Sequence, residues 1–283
     1  MDSDAEQFDI QVTSAGVAGA WSLRELWRYR DLVWMLVRRN FVVSYKQTIL
    51  GPAWAIIRPL LTTIVFTVVF GKLAKLPTDG VPPFLYYLCG TVAWGYFSSL
   101  LGGSASTLQA NAHLLGKVYF PRLVLPISGA FSHLIAYGIQ MLFFLCFLLV
   151  FHYRNGIPFC SPWILLLPVL LLQMSVLAVG VGLFLASVTI RYRDLGILVG
   201  FGLQLWMYAT PIAYSVSLVP VKYRMLYSCN PMVAVIDLYR RMFFAEGNCT
   251  LAQWGVSLLI TALLFWFGLW NFHRVEKNFI DTI

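Results

Sequence analysis

The stretch YKQTILGPAWAIIRPLLTTIVFTVVFG, residues 45–71, passes from a basic, polar segment straight into an apolar run of membrane-crossing length, and it keeps Arg58 and Pro59 inside that run. Pro52 suits the first turn of a helix, because its missing N–H belongs to a group that has no partner there anyway. Six residues on, at 1.5 Å each, Arg58 lies ~9 Å along the helix axis, within snorkelling reach of a headgroup layer. Pro59 removes one backbone donor and predicts a kink one turn earlier.

The rest of the chain extends the membrane reading. Of 283 residues, 59% are hydrophobic and only 11% charged, too few to cover the surface of a soluble chain of this size. Six apolar spans are expected, near 53–72, 84–106, 123–151, 163–188, 195–213 and 251–272. The net charge of +8 is spread over connecting segments with no zinc-finger or RNA-binding motif beside it, which argues for membrane topology rather than nucleic acid. Residues 1–21 show no periodicity and are expected to be disordered; they do not resemble a cleaved signal.

Over residues 22–50 an amphipathic helix lying along the membrane interface is predicted. Ser22 and Glu25 make a capping-box pattern, and Leu23, Leu26, Trp27, Val33, Trp34, Val37 and Phe41 recur at helical spacing. Arg24, Arg28, Asp31, Arg38 and Arg39 gather on the other side. With six spans both termini share a face. Twelve lysines and arginines fall on the terminal side and seven on the other, which makes both termini cytoplasmic.

Residues 214–250 are too long and too apolar for a plain outer loop. The break at Asn230-Pro231 predicts two short helices, within about 215–246, that dip into the outer leaflet or pack on the bundle. Cys229 and Cys249 fall on that side, where a disulfide between them is feasible.

Catalytic motifs are absent from the sequence. No phosphate loop, HExxH or GxSxG occurs, and His113, His133, His152 and His273 are dispersed, so neither a metal nor any other cofactor is expected on this chain. All twelve acidic residues lie outside the apolar spans, which argues against proton coupling and for energy supplied by a partner. The segment LQANAHLLGKVYFPRLVLP, residues 108–126, is basic and amphipathic. It reads equally as a docking segment and as a snorkelling loop.

Taken together, YKQTILGPAWAIIRPL, NAHLLGKVYFPR, IRYRDLG and NPMVAVIDLYR, in this order, resemble the permease subunit of ATP-binding-cassette exporters for lipid-linked polysaccharides, those of lipopolysaccharide O-antigen above all. The likeness runs from about residue 22 to 275. It implies an all-α integral membrane protein with an interface helix, a six-span domain over 51–283, and two outer gate helices between spans five and six.

The resemblance further implies a coupling helix at about 109–121 that contacts a separate ATPase subunit through Asn111, His113, Lys117, Tyr119, Phe120 and Arg122, with Arg191, Arg193 and Asp194 as a second contact. ATP and Mg would sit on that subunit, and two copies of the permease would pair in a bacterial inner membrane. Arg38, Arg39 and Arg58 are candidates for the anionic headgroup of an undecaprenyl-type carrier.

Tyr86, Tyr87, Trp94, Tyr96, Phe97, Trp206 and Tyr208 are candidates for a sugar-stacking conduit, closed by a gate containing Asn230, Pro231 and Tyr239. The same aromatics would equally serve as interface belts or lipid-facing core. Three rival functions stay in view: an exporter of a small amphiphile or drug, a membrane-embedded glycosyl- or acyltransferase, and a passive channel.

Overall fold

A computed structural model describes residues 27–46, 48–111, 120–158, 161–189 and 194–278. Every regular element among them is helical. The helices are α1 (Arg30–Tyr45), α2 (Trp54–Phe66), α3 (Pro83–Ala105), the single turn α4 (Thr107–Ala110), α5 (Val124–Asn155), α6 (Leu167–Thr189), α7 (Leu195–Tyr208), α8 (Val221–Ser228), α9 (Pro231–Phe244) and α10 (Leu251–Asn278).

Four stretches are long and apolar enough to cross a bilayer: Gly51–Leu73, Val124–Asn155, Pro162–Thr189 and Leu251–Val275. α3 has 23 residues, which is also long enough, but its tyrosines, serines and glycines make it less apolar. It nonetheless carries no charge and is buried on nearly every side, packed by α2, α5, α6, α7 and α9. Its surroundings are protein, which tolerates hydroxyls that lipid would not. α7 is only 14 residues, ~21 Å at 1.5 Å per residue, and is followed by a turn at 209–213 rather than by the helix expected there.

α2 does not break at Pro59. The helix continues through it to Phe66 and then widens into π-helical turns over Thr67–Leu73. α5 ends where Gly156 takes a left-handed φ of 66° and its N–H closes on the His152 carbonyl at 2.9 Å.

The apolar stripe expected on α1 is divided between packing on the bundle and exposure. α1 buries Leu36 against Phe120, Val124 and Leu125, with Leu32 and Val33 partly buried on the same cluster, and buries Val37 as well, while Trp34 and Met35, and Trp27 just before the helix, remain exposed. The predicted capping box at Ser22 and the segment 1–21 lie outside the described residues.

α6 and α10 make the closest helix pair. A Cβ built on Gly268 would overlap the Gly180 carbonyl, so the two backbones touch with no side chain between them. A buried polar chain then ties this pair to α9: Trp254 Nε1 donates to Gln173 Oε1 at 3.0 Å, Gln173 Nε2 donates to Ser257 Oγ at 2.7 Å, and Ser257 Oγ donates to the Pro231 carbonyl at 2.8 Å.

Candidate functional site

The two ends of α3 carry two different polar constructions. At its C-terminal end, Arg39 of α1 donates from Nη2 to Asn111 Oδ1 at 2.8 Å and to Asn40 Oδ1 at 3.2 Å. Asn111 Nδ2 in turn donates to the Thr107 carbonyl at 2.9 Å, and Gln109 Nε2 donates to the Thr189 carbonyl at the end of α6 at 2.8 Å. Phe120, where the described chain resumes, is buried in the Leu36 cluster. The residues that flank 112–119 are thereby held, Asn111 by Arg39 and Phe120 under α1.

His113, Lys117 and Tyr119 lie outside the described residues, as do Arg191 and Arg193. Arg122 is partly exposed, and Asp194 is exposed at the start of α7. Arg38 and Arg58 are exposed, whereas Arg39 points into the bundle end. Burial pushes the Tyr45 phenol up and the Arg58 charge pulls it part of the way back.

At the opposite end α9 is buried almost all round, which suits a helix apolar on most faces. Asn230 caps it: its Oδ1 accepts from the Met232 N–H at 3.1 Å and from Trp206 Nε1 at 2.9 Å, while its Nδ2 donates to the Ala209 carbonyl and to Thr210 Oγ1. One side chain thus starts α9 and holds the end of α7 to it. Tyr239 hydrogen-bonds to Tyr137 of α5.

Two charged residues of α9, Asp237 and Arg240, are buried as well. The Arg240 guanidinium lies over the Tyr86 ring at 3.6 Å and donates from Nη2 to the Ile212 carbonyl at 3.1 Å. Asp237 Oδ2 accepts from the Asn248 N–H at 2.8 Å. Beside them Asp79 accepts hydrogen bonds from the hydroxyls of Ser215 and Ser217, joining the α2–α3 connection to the segment before α8.

Of the aromatics considered for a conduit, Tyr86, Tyr87, Trp94, Tyr96, Phe97 and Tyr239 are buried within the chain and face neighbouring helices. Tyr96 bonds Ser175, and Trp94 and Phe97 pack edge-on to Trp206. Trp206 is half-buried and Tyr208 is about half exposed, at 47%. Cys249 is a buried, unbridged thiol, so the Cys229–Cys249 disulfide is not formed. Among the described residues no cluster of histidine, cysteine or carboxylate could hold a metal ion.

Sequence reasoning passed over Asp79, Ser215, Asp237 and the inward role of Arg240. The available signal was Asp237 and Arg240 at i, i+3 on an otherwise apolar helix, a spacing that puts both on one face.

Residues 31–244 match the family model of the ABC-2 type transporter. An O-antigen export system permease protein RfbA of Klebsiella pneumoniae is 26% identical over 255 residues, covering 89% of this chain and 95% of that protein. A protein of the same name from Myxococcus xanthus is 27% identical over 263 residues, covering 92% and 98%.

Proposed function

Because the chain belongs to the ABC-2 type transporter family, a family of transporter membrane subunits, we propose that it is the permease of an ATP-driven exporter that moves an undecaprenyl-linked polysaccharide of O-antigen type. The observation that carries the reading is the match to permeases of that name over about nine-tenths of the chain, spanning both polar ends of the bundle.

In this reading α3 and α7 join the four long apolar helices as six spans of an inner-membrane protein with cytoplasmic termini, and α8 and α9 form the outer gate. Two copies pair, and each engages an ATPase subunit that holds ATP and Mg. Residues 109–121 are the coupling segment, supported by its double anchorage at Asn111 and Phe120. Arg191, Arg193 and Asp194 make the second contact. Arg38, Arg39 and Arg58 attract the diphosphate of the carrier at the cytoplasmic face. The chain makes and breaks no covalent bond.

The buried aromatics give the conduit its wall from behind. Trp206 and Tyr208 are left as residues that an opened path would expose.

One observation favours a second reading, export of a small amphiphile: an apolar cavity of about 400 Å³ between α3, α6 and α7, lined by Leu101, Phe184, Leu185, Leu198 and Trp206 among others.

Co-reconstitution of the chain with its candidate ATPase subunit in vesicles separates the two. ATP-dependent transfer of undecaprenyl-linked glycan that is lost when residues 116–120 are scrambled is the expected result. ATPase stimulation by small amphiphiles alone would move the assignment to the second reading.

A further inference from the structure

The cavity of about 400 Å³ between α3, α6 and α7 is long and narrow. On α7 its wall is Leu195, Leu198, Val199, Gly202, Leu203 and Trp206, one face of the helix at spacings of three and four, and on α6 it runs over residues 181–189. At 1.5 Å per residue these walls are ~12 Å long on α6 and ~17 Å long on α7, so the volume corresponds to a bore about 6 Å wide. A helix with its side chains is ~10–12 Å across and does not fit. A single methylene chain, about 4–5 Å wide at carbon contact distance, does.

The wall offers a ligand no free polar side chain. Only Thr189 and Trp206 among the lining residues carry a polar side-chain atom, and both are used: Thr189 Oγ1 donates to the Ala186 carbonyl at 3.2 Å, and Trp206 Nε1 donates to Asn230 Oδ1 at 2.9 Å. Water has nothing to hold it in such a space, and an empty apolar cavity forfeits packing along its whole wall. Leu198 is 59% exposed although it lines the cavity, so the space opens sideways toward the apolar layer crossed by the span Pro162–Thr189.

α7 is also the helix most in want of packing. None of its 14 residues is buried, although Gln204 is the only strongly polar one among them.

We infer that the cavity takes one hydrocarbon chain of a bilayer phospholipid, lying along α7 with its headgroup outside the cavity. The chain supplies the packing that α3 and α6 leave missing on this face of α7, and through the Trp206–Asn230 bond it steadies the start of α9. A small amphiphile carried as cargo would bring a polar group for which neither end of the cavity has a partner. The inference needs only the membrane setting of the chain, not the identity of what it exports.

The test uses the full chain, without an ATPase subunit, purified in a steroid-based detergent whose fused rings are too wide for the bore. Bound phospholipid is counted by native mass spectrometry, and the melting temperature is followed as dioleoyl- or dihexanoylphosphatidylcholine is added back. Two glycines of α7 make matched variants: a Cβ on either meets nothing within 4 Å, but only Gly202 lines the cavity. Gly202→Leu fills the space from within, while Gly200→Leu adds the same side chain and the same helix propensity elsewhere on α7.

The wild type is expected to keep one phospholipid, to lose stability when longer washing strips it, and to regain stability with the dioleoyl lipid and not with the dihexanoyl one. In G202L occupancy should fall about tenfold, and the melting temperature should no longer respond to lipid. G200L should behave as the wild type, and replacing phosphatidylcholine by phosphatidylglycerol should change nothing.

Equal occupancy in G202L and wild type overturns the site, as does an equal loss in G200L. A dependence on headgroup with none on chain length overturns it too. So does a G202L effect on dimer content with lipid occupancy unchanged, which would hand this face to a second copy. Since no ATPase is present, failure of the export reading leaves each of these outcomes readable.

Discussion

The guanidinium of Arg240 lies 3.6 Å from the centroid of the Tyr86 ring, so a formal charge that is 3% exposed is held by the face of an aromatic and by the Ile212 carbonyl. Its Nε has no partner among the described residues, in contrast to Arg30, which pairs with Asp31 at the exposed start of α1. The side chain ties α9 to α3 and to the turn after α7 at once.

Truncating it removes the stem packing, the hydrogen bond and a desolvated cation–π contact that contributes up to about 2 kcal/mol. Arg240→Ala is expected to lower stability by about 2–4 kcal/mol, read as a drop in melting temperature in detergent. Arg240→Met keeps the apolar stem and removes a buried charge, so it should recover most of that loss. Equal losses in the two variants would place the contribution in the charge instead.

Asp237 makes a pH-dependent contribution to the same region. α9 belongs to none of the four long apolar spans, and burial pushes the Asp237 carboxyl above the usual range, while Arg240 and the Asn248 N–H pull it partly back. A carboxyl with a raised folded-state value holds its proton more tightly in the fold than in the unfolded chain. Its stabilisation is complete below the unfolded value and is lost as pH rises through the folded one. Asp237→Asn retains an oxygen for the Asn248 N–H but cannot ionise. The melting temperature of D237N relative to wild type should therefore climb as pH rises from the ordinary carboxyl range through the raised folded-state value. A difference that stays flat across that range would show that Asp237 does not titrate there.

Asn230 joins two helices through four hydrogen bonds, two accepted and two donated. Asn230→Ala removes the cap of α9 and leaves the Trp206 indole N–H without its acceptor, at an expected cost of about 2–3 kcal/mol. Asn230→Asp keeps both acceptor bonds and loses the donors to Ala209 and Thr210, so it should fall between alanine and wild type. Tryptophan fluorescence reports Trp206 among the ten tryptophans by difference against Trp206→Phe. An N230D variant as damaged as N230A would shift the weight from the cap to the amide donors.

How far the sequence carries these conclusions differs by region. Apolar run length was enough to locate α2, α5, α6 and α10, because lipid-facing helices need apolar residues on all sides. α9 was recognisable from Asn230-Pro231 and the apolar residues after it, which combine a cap, a proline at the first turn and a buried body.

Other features were hidden for definite reasons. A tyrosine facing a path, a lipid or a helix reads the same in sequence, and only the packing shows Tyr86, Tyr87 and Phe97 turned inward. Asp237 and Arg240 look solvated until their neighbours are known. α2 runs on through Pro59 to Phe66, one missing hydrogen bond being outweighed by packing of the helix on α3. α7 was expected to reach 213 because residues 209–213 are mostly apolar, but they turn under α9.

The contact between α6 and α10 gives the sharpest packing prediction. An alanine at Gly268 would drive its methyl into the Gly180 carbonyl, and an alanine at Gly180 would come within 3.0 Å of the Phe265 backbone nitrogen. In neither case can a side chain rotate away; the helices must separate, straining the Gln173 bonds to Ser257 and Trp254 further along the pair. Each substitution is expected to cost about 1–3 kcal/mol. The double variant should cost less than the sum, because one separation relieves both overlaps. Gly255, on the same helix, has nothing within 4 Å of a built Cβ, so Gly255→Ala should be neutral or slightly stabilising through helix propensity. Thermal melts of the four variants check this. Additive losses at 180 and 268, or a Gly255→Ala loss as large as theirs, would mean that the glycines act through backbone freedom and not through the close approach of the two helices.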